Sequence, residues 1–352
     1  MFFTLKSSIK SSVLSTMIVM LGLSSASAAL NVQENKLPVT ARTGMAKISW
    51  GGGDSLTSAK AIMYSNMDSP SSRNSGFNEE DDYNPSWSRA TISPNYGTGV
   101  YSAGSKGAIV IDAQTGQVIY EKNADVARPI ASLSKLMTAV IVAESNLDMN
   151  ETITVDSLDF KTPKKSGSDR LKVGDQLNRA EVLLMMLMKS ENPAAKALAR
   201  TDPQGYDAFI AKMNAKARDL GMTQTRFYDP SGLDSRNVAS PRDLAILAKY
   251  AAQHNVISRF STTPSRDFWV SNSNSGSRTI AAKSTNYMVR DGLYDLVLSK
   301  TGYINEAGKC LIVETNVNNR PAVVVLLGAT DTKTRWSDAE SILTNLKYRQ
   351  AI

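Results

Sequence analysis

The chain has 352 residues, of which 42% are hydrophobic, and a formal charge of +7; it reads as a globular protein of one large or two smaller domains. A single cysteine, Cys310, and a single histidine, His254, exclude an internal disulfide and any zinc site built from several nitrogen and sulfur ligands.

Lys6 and Lys10 precede an apolar run from Val13 to Leu23, which is followed by the small residues Ala26, Ser27 and Ala28. A basic segment, a short apolar run and an A-x-A site make a secretory signal, so residues 1–28 are expected to be removed after Ala28. About 11 apolar residues fall short of the roughly 20 that cross a bilayer, and no later stretch approaches that length. The mature chain is therefore expected outside the cytoplasm, with no stable membrane anchor and no nucleic-acid partner. Residues 29–103 are rich in Ser, Asn, Gly and Asp, as in "GGGD", "SPSSRNSG" and "NEEDDYNPS", and lack periodicity, which predicts a disordered or low-complexity arm. This arm holds six basic and seven acidic residues, so the basic excess lies outside it; a modestly basic exported domain suits a polyanionic wall polymer without specifying one.

One domain is expected over 104–352, with order beginning near Lys106. "GAIVIDAQTGQVIYEKN" predicts two strands, Ala108–Asp112 and Gln117–Glu121, joined by a turn at Thr115 and Gly116. "ASLSKLMTAVIVAES" is apolar or small nearly all round, the pattern of a buried central helix. Further helices are predicted in "RAEVLLMMLMKS", in "NPAAKALAR", in "GYDAFIAKMNAKARDLG", which Gly221 ends, and from Ser240 with Pro241 at its first position. Three β-branched runs then follow, "YDLVLSKTG", "KCLIVETNV" and "PAVVVLLGA", separated by "INEAG" and "NNR"; they predict an antiparallel meander, and a last helix covers about 335–348. Strands, then helices, then strands predict an α+β domain whose two ends share one sheet. Cys310 reads as a small buried hydrophobe.

Imidazole-based serine chemistry would have to rest on His254, in "AAQHNVISRF", which reads better as a helix-terminal surface residue. Lysine is the other base available. Ser132 and Lys135 form S-x-x-K at the start of the central helix, where three-residue spacing puts both on one face. Ser190-Glu191-Asn192 falls between two helical patterns, where helix capping by Ser190 or Asn192 is the plainer reading. Both motifs recur: S-x-x-K at Ser7–Lys10, and S-x-N at Ser72–Asn74, Ser93–Asn95, Ser235–Asn237 and Ser284–Asn286. Lys300-Thr301-Gly302 occurs once, on a predicted strand, where a mid-strand glycine implies close approach of another backbone; a substrate strand is the expected partner.

The three motifs together, in this order, and the stretches "PIASLSKLMTA", "MKSENPAAKALA", "FYDPSGLDSRNVASPRDLA" and "LSKTGYINEAGKCL" resemble the low-molecular-mass penicillin-binding proteins of the D-alanyl-D-alanine carboxypeptidase and endopeptidase family over about 105–348. The resemblance implies a DD-peptidase/β-lactamase-like fold, with an antiparallel five-stranded sheet and helices on both faces. It implies a periplasmic serine peptidase that acts on peptidoglycan stem peptides and cross-links, takes β-lactams as covalent inhibitors, and uses no cofactor or metal. Ser132 would be the nucleophile and Lys135 its base, with burial beside Lys300 favouring the neutral amine. Ser190 would relay a proton to the leaving amine, and Asn192 would bind the substrate amide and hold Lys135. The backbone N–H groups of Ser132 and Tyr303 would form the oxyanion hole, Lys300, Thr301 and Gly302 would line the substrate strand, and Arg335 would bind a substrate carboxylate.

Local similarity favours an endopeptidase over a carboxypeptidase that trims pentapeptide stems, and the chain's end at Ile352 leaves no expected room for the C-terminal anchor of many carboxypeptidases. A class A β-lactamase needs a deacylating glutamate between the second and third motifs, and the chain has none between Glu191 and Glu306. A catalytically inactive wall-binding protein would have no need of Ser132 and Lys135 together.

Overall fold

The computed structural model describes residues 102–162 and 169–348; the expected signal segment and nearly all of the expected arm lie outside them. Alternating apolar residues form the hairpin β1 (Gly107–Asp112) and β2 (Val118–Lys122). Its turn is closed by the Asp112 carboxylate, which accepts from the N–H groups of Gln114 and Thr115, and by Gly116 at φ 76°. The short β3 (Arg128–Pro129) leads through a 3-10 turn (Ala131–Leu133) into α1 (Ser134–Glu144). After β4 (Thr152–Thr154), a second 3-10 turn (Ser157–Phe160) and β5 (Asp175–Asn178) comes α2 (Arg179–Met188), started by a reciprocal cap between Asn178 and Glu181.

The helices α3 (Asn192–Arg200) and α4 (Tyr206–Asp219) follow, the second stopping before Gly221 at φ 73°, as expected. The two-residue β6 (Val238–Ala239) precedes α5 (Pro241–Ala252), where Ser240 caps the N–H of Asp243 and Pro241 takes the first position. The chain continues through α6 (Asn255–Ser261), β7 (Ser265–Asn272), β8 (Arg278–Lys283) and α7 (Tyr287–Arg290). It closes with β9 (Leu296–Ile304), β10 (Gly308–Val317), β11 (Arg320–Ala329) and α8 (Thr332–Tyr348).

The main sheet is antiparallel, in the order β2-β1-β11-β10-β9, so the first hairpin and the last meander share it. Period-two alternation gives it two buried faces. Ile109, Ile111, Ile312, Val323 and Val325 face the larger core, built around α1, α2 and α5. Ala108, Val110, Leu311, Val324 and Leu326 face a smaller core under Tyr287, Met288, Trp336, Ala339 and Ile342 of α7 and α8. Helices therefore cover both faces. α1 is buried on every side, polar Ser134, Lys135 and Thr138 included, which fits a pattern apolar or small all round. Cys310 is buried in the larger core.

Two features depart from expectation. A second sheet, β4-β5-β7-β8, closes the other end of the larger core, burying Phe268, Val270, Ile280 and Ala282 while Trp269 stays exposed. It is tied by Asp175: burial pushes that carboxyl up, but hydrogen bonds from Arg278 and Asn272 outweigh this and hold it below the usual carboxylate range. Order also starts earlier than Lys106. The Asp338 carboxylate of α8 accepts from the N–H groups of Gly104 (2.9 Å) and Ser105 (2.7 Å) and from Ser105 Oγ (2.6 Å), and Ala103 is buried.

Glu314 of β10 is buried between Leu298 and Val323 on the α5 side of the sheet, and burial raises its carboxyl to about 7, the charge of Lys249 offsetting only part. A carboxyl raised on folding favours the protonated native state, so its contribution is complete below the ordinary glutamate range and is lost as pH rises through about 7. Thermal unfolding of wild type and Glu314→Gln from pH 5 to 8 checks this: the fall in Tm should be smaller in the variant. Equal falls would show that Glu314 holds no proton.

Candidate active site

Ser132 lies in the 3-10 turn that enters α1, and the residue before it, Ala131, is left-handed at φ 48°. Lys135 stands one turn on and is fully buried, 0% exposed, whereas Ser132 keeps part of its surface. The amine nitrogen lies 2.9 Å from Ser132 Oγ, 2.7 Å from Asn192 Oδ1 and 2.7 Å from the carbonyl oxygen of Ser231, so a neutral amine can donate to the last two and turn its lone pair to the Ser132 hydroxyl. An accessible hydroxyl against a desolvated amine is the arrangement in which oxygen can pass its proton to nitrogen and attack a carbonyl.

A buried polar floor fixes the turn. Ser134 Oγ donates to the Ala131 carbonyl (3.0 Å) and accepts from Asn237 Nδ2 (2.9 Å). Asn237 also donates to Asp229, whose carboxylate in turn accepts from Ser231 Oγ (2.8 Å) and from the N–H of Gly232 (2.7 Å). Thr138 Oγ1 donates to the Pro230 carbonyl at 2.7 Å, tying α1 to the same segment. Gly232, at φ 84°, passes so close that a Cβ would stand 1.9 Å from the Ala131 oxygen. Asp229, Ser231, Gly232 and Asn237 sit within "FYDPSGLDSRNVASPRDLA", but the motifs alone gave them no task; Ser235–Asn237 reads only as one more S-x-N.

Neither Ser190 nor Asn192 caps a helix. The N-cap of α3 is Glu191, and Asn192 is its first residue. Ser190 is left-handed, φ 65°, and its Oγ accepts from Lys300 Nζ at 2.8 Å; Lys300 also donates to the Thr301 carbonyl (2.9 Å). Asn192 gives its oxygen to Lys135 and donates from Nδ2 to Asp169 (3.1 Å), a partner outside all three motifs. Lys300 and Thr301 are both buried, and Thr301 Oγ1 donates to Thr285 Oγ1 at 2.6 Å.

Gly302 has a close backbone neighbour within the chain itself. A Cβ there would meet the Ile130 oxygen and the Ser132 nitrogen, each at 3.1 Å, so the backbone that approaches is the protein's own nucleophile turn. Strand β9 is pressed against Ser132 by that contact, and the three motifs meet. Tyr303, next along, is exposed, with Lys309 Nζ 3.6 Å from its ring centroid and its hydroxyl donating to Asn305. Arg335 is fully buried in α8, its guanidinium 4.2 Å from the Trp336 ring centroid.

The chain matches the D-alanyl-D-alanine carboxypeptidase family over residues 95–331. It belongs to that family. It is thus a serine DD-peptidase. It is 40% identical to a D-alanyl-D-alanine endopeptidase of Escherichia coli over 241 residues, 68% of this chain and 76% of that one. It is 39% identical over 235 residues to a D-alanyl-D-alanine endopeptidase of Pseudomonas aeruginosa, 67% of this chain and 74% of that one. Its fold is similar to the crystal structure of the Streptomyces K15 DD-transpeptidase, with TM-score 0.64 and 26% identity over 70% of this chain and 98% of that one.

In this DD-peptidase the single imidazole is occupied elsewhere. His254 packs on Tyr250, with Nδ1 3.2 Å from the Tyr250 carbonyl and Nε2 3.4 Å from Glu144, at the junction of α5 and α6. Among the described residues no group of three or more His, Cys, Asp or Glu could hold a metal ion, and no helix is long and apolar enough to cross a membrane.

Gly232→Ala tests the clamp on the turn. The added methyl clashes with backbone rather than a mobile side chain, and its φ is unfavourable to alanine, so a loss of stability on the order of 2–4 kcal/mol is expected from strain and overpacking. Denaturant unfolding measures it, and wild-type stability would show that the turn is not held at this point.

Proposed function

We propose that the chain is a periplasmic D-alanyl-D-alanine endopeptidase that cuts peptidoglycan cross-links through an acyl-enzyme on Ser132. The observation that carries this is the 2.9 Å contact between Lys135 Nζ and Ser132 Oγ, in a member of a serine DD-peptidase family. Burial of an amine favours its uncharged form, and a second buried amine, Lys300, adds to that tendency, so Lys135 serves as the base. Ser132 Oγ attacks the carbonyl carbon of D-alanine and its proton passes to Lys135. The negative charge that forms on the carbonyl oxygen is met by the N–H groups of Ser132 and Tyr303. As the C–N bond breaks, the proton that Lys135 took from Ser132 passes through Ser190 Oγ to the leaving nitrogen, which leaves Lys135 neutral again; Lys300 holds Ser190 by hydrogen bond. Water then attacks the ester carbonyl as its proton passes to neutral Lys135, and that proton returns to Ser132 Oγ as the ester C–O bond breaks.

Asn192 positions Lys135 and offers its amide to the substrate, and Thr301 and Gly302 border the strand along which the peptide lies; a carboxylate role for Arg335 requires its guanidinium, fully buried beside Trp336, to become uncovered. The family description is that of a carboxypeptidase, but both relatives at 39–40% identity are endopeptidases, which favours cross-links over pentapeptide ends. The expected signal over 1–28 supports the periplasm, and the 29–103 segment is read as a tether.

Fluorescent penicillin should label the wild-type chain and release slowly, and Ser132→Ala should abolish labelling while keeping the wild-type circular dichroism. Digestion of purified cross-linked dimeric muropeptides, read by mass, should yield monomers. Removal of terminal D-alanine from pentapeptides with dimers left intact would replace the endopeptidase reading by the carboxypeptidase one.

A further inference from the structure

Glu191 stands between two residues of the site and has no task in the chemistry above, yet it is almost fully buried, 1% exposed. Its Oε1 accepts from the backbone N–H groups of Arg170 and Leu171, the latter at 2.8 Å. In the opposite direction, Asp169 Oδ1 accepts from the Asn192 backbone N–H at 3.2 Å and from Asn192 Nδ2 at 3.1 Å. Two acidic side chains, one from each segment, therefore stitch residues 169–171 to residues 191–192 by four hydrogen bonds.

The stitched turn includes Ser190, left-handed at φ 65°, a conformation that a serine keeps only where its surroundings impose it. On one side Lys189 closes α2 through its N–H to the Met185 carbonyl; on the other the constraint comes from the Glu191 and Asp169 bonds. If the second side is released, Ser190 Oγ is no longer aimed at Lys300, nor Asn192 Oδ1 at Lys135. For stability alone, a buried carboxyl is a poor choice, because it must be desolvated, and its Oε2 finds no hydrogen-bond partner among the described residues. What the carboxyl supplies is an acceptor for two N–H groups that an apolar side chain would leave unsatisfied.

We propose that Glu191 is a positioning residue: clipped to the 169–171 segment together with Asp169, it holds Ser190 against Lys300 and Asn192 against Lys135, and its ionisation loosens the clip. The inference rests on the Ser132 acylation reading. The charged groups that bear on Glu191 are Asp169, from the facing segment, and Lys189, at the end of α2. Burial, then the Asp169 charge, push the carboxyl up to about 7, against the pull of the Leu171 and Arg170 hydrogen bonds and of Lys189. As pH rises through that value a second negative charge appears beside Asp169, and repulsion strains the stitch.

The test uses the full chain and labelled benzylpenicillin, separating the acylation rate constant from the affinity of the non-covalent complex between about pH 5.5 and 8.5. Glu191→Ala should lower the rate constant about tenfold with little change in affinity, as expected when catalytic groups lose their orientation. Glu191→Gln keeps an oxygen acceptor and cannot ionise, so it should recover most of that loss, and the ratio of wild-type to E191Q rates should fall as pH crosses 7. Acylation of E191A at the wild-type rate, or an E191Q no faster than E191A, overturns the inference. Should E191A fail to fold, a wild-type to E191Q ratio that stays constant with pH overturns it. Failure of the wild type itself to acylate would instead sink the reading on which the inference rests.

Discussion

The site depends on one buried amine. Lys135 lies where water cannot solvate it, so its nitrogen must find hydrogen-bond partners in the protein, and it finds them on three separate pieces of chain: Ser132, Asn192 and Ser231. The dependence runs both ways. Each partner is held in place by the same nitrogen, so the hydroxyl, the S-x-N turn and the 229–232 segment are registered to one point. That point is itself fixed by α1, a helix buried on every side between the main sheet and the other helices. The usual conflict between a polar group and an apolar core becomes the means by which the core sets the geometry of the chemistry.

Two strained residues stand beside the site. Ala131 and Ser190 both adopt positive φ without being glycine, one before the nucleophile and one at the second motif. Each is held by a polar network reaching well beyond itself: the Asp229–Asn237–Ser134 floor under Ala131, and the Glu191 and Asp169 bonds beside Ser190. Short, sharp turns of this kind let a hydroxyl at the end of a packed helix keep part of its surface open, and the networks keep those turns from relaxing.

Much of this was legible in the residues, for identifiable reasons. The runs in β9, β10 and β11 are long, β-branched and separated by turn residues, and the helices carry clear starts and stops at Ser240, Pro241 and Gly221, so the main sheet and its helical cover follow from local pattern. The second sheet does not, because β4 and β5 are three and four residues long and are ordered by Asp175 and its partners across the chain rather than by their own composition. The polar floor was hidden for a related reason. Asp229, Ser231 and Asn237 have the residue types of a surface loop, and only tertiary contact makes them buried. Motif counting misled in the same place: Asn237 and Asn286, from two of the discounted S-x-N matches, are buried structural residues, the first under the nucleophile turn and the second starting α7 and bonded to Ser299.

The two glycines beside Ser132 show how far positioning goes beyond hydrogen bonding. Gly232 passes the Ala131 carbonyl, and Gly302 of β9 meets the Ile130 oxygen and the Ser132 nitrogen. Both contacts fall on residues 130–132, at the entry to the nucleophile turn, and in both the nearest neighbour is backbone, which has little freedom to yield. Hydrogen bonds alone would leave the Ser132 oxygen some latitude, since their length and angle vary softly, whereas repulsion between backbone atoms rises steeply. The third motif therefore has a structural task before any substrate arrives. Its glycine lets the sheet close on the turn that carries the nucleophile, while its lysine reaches past to Ser190, so that the distance between the attacking oxygen and the proton donor is set by the same strand.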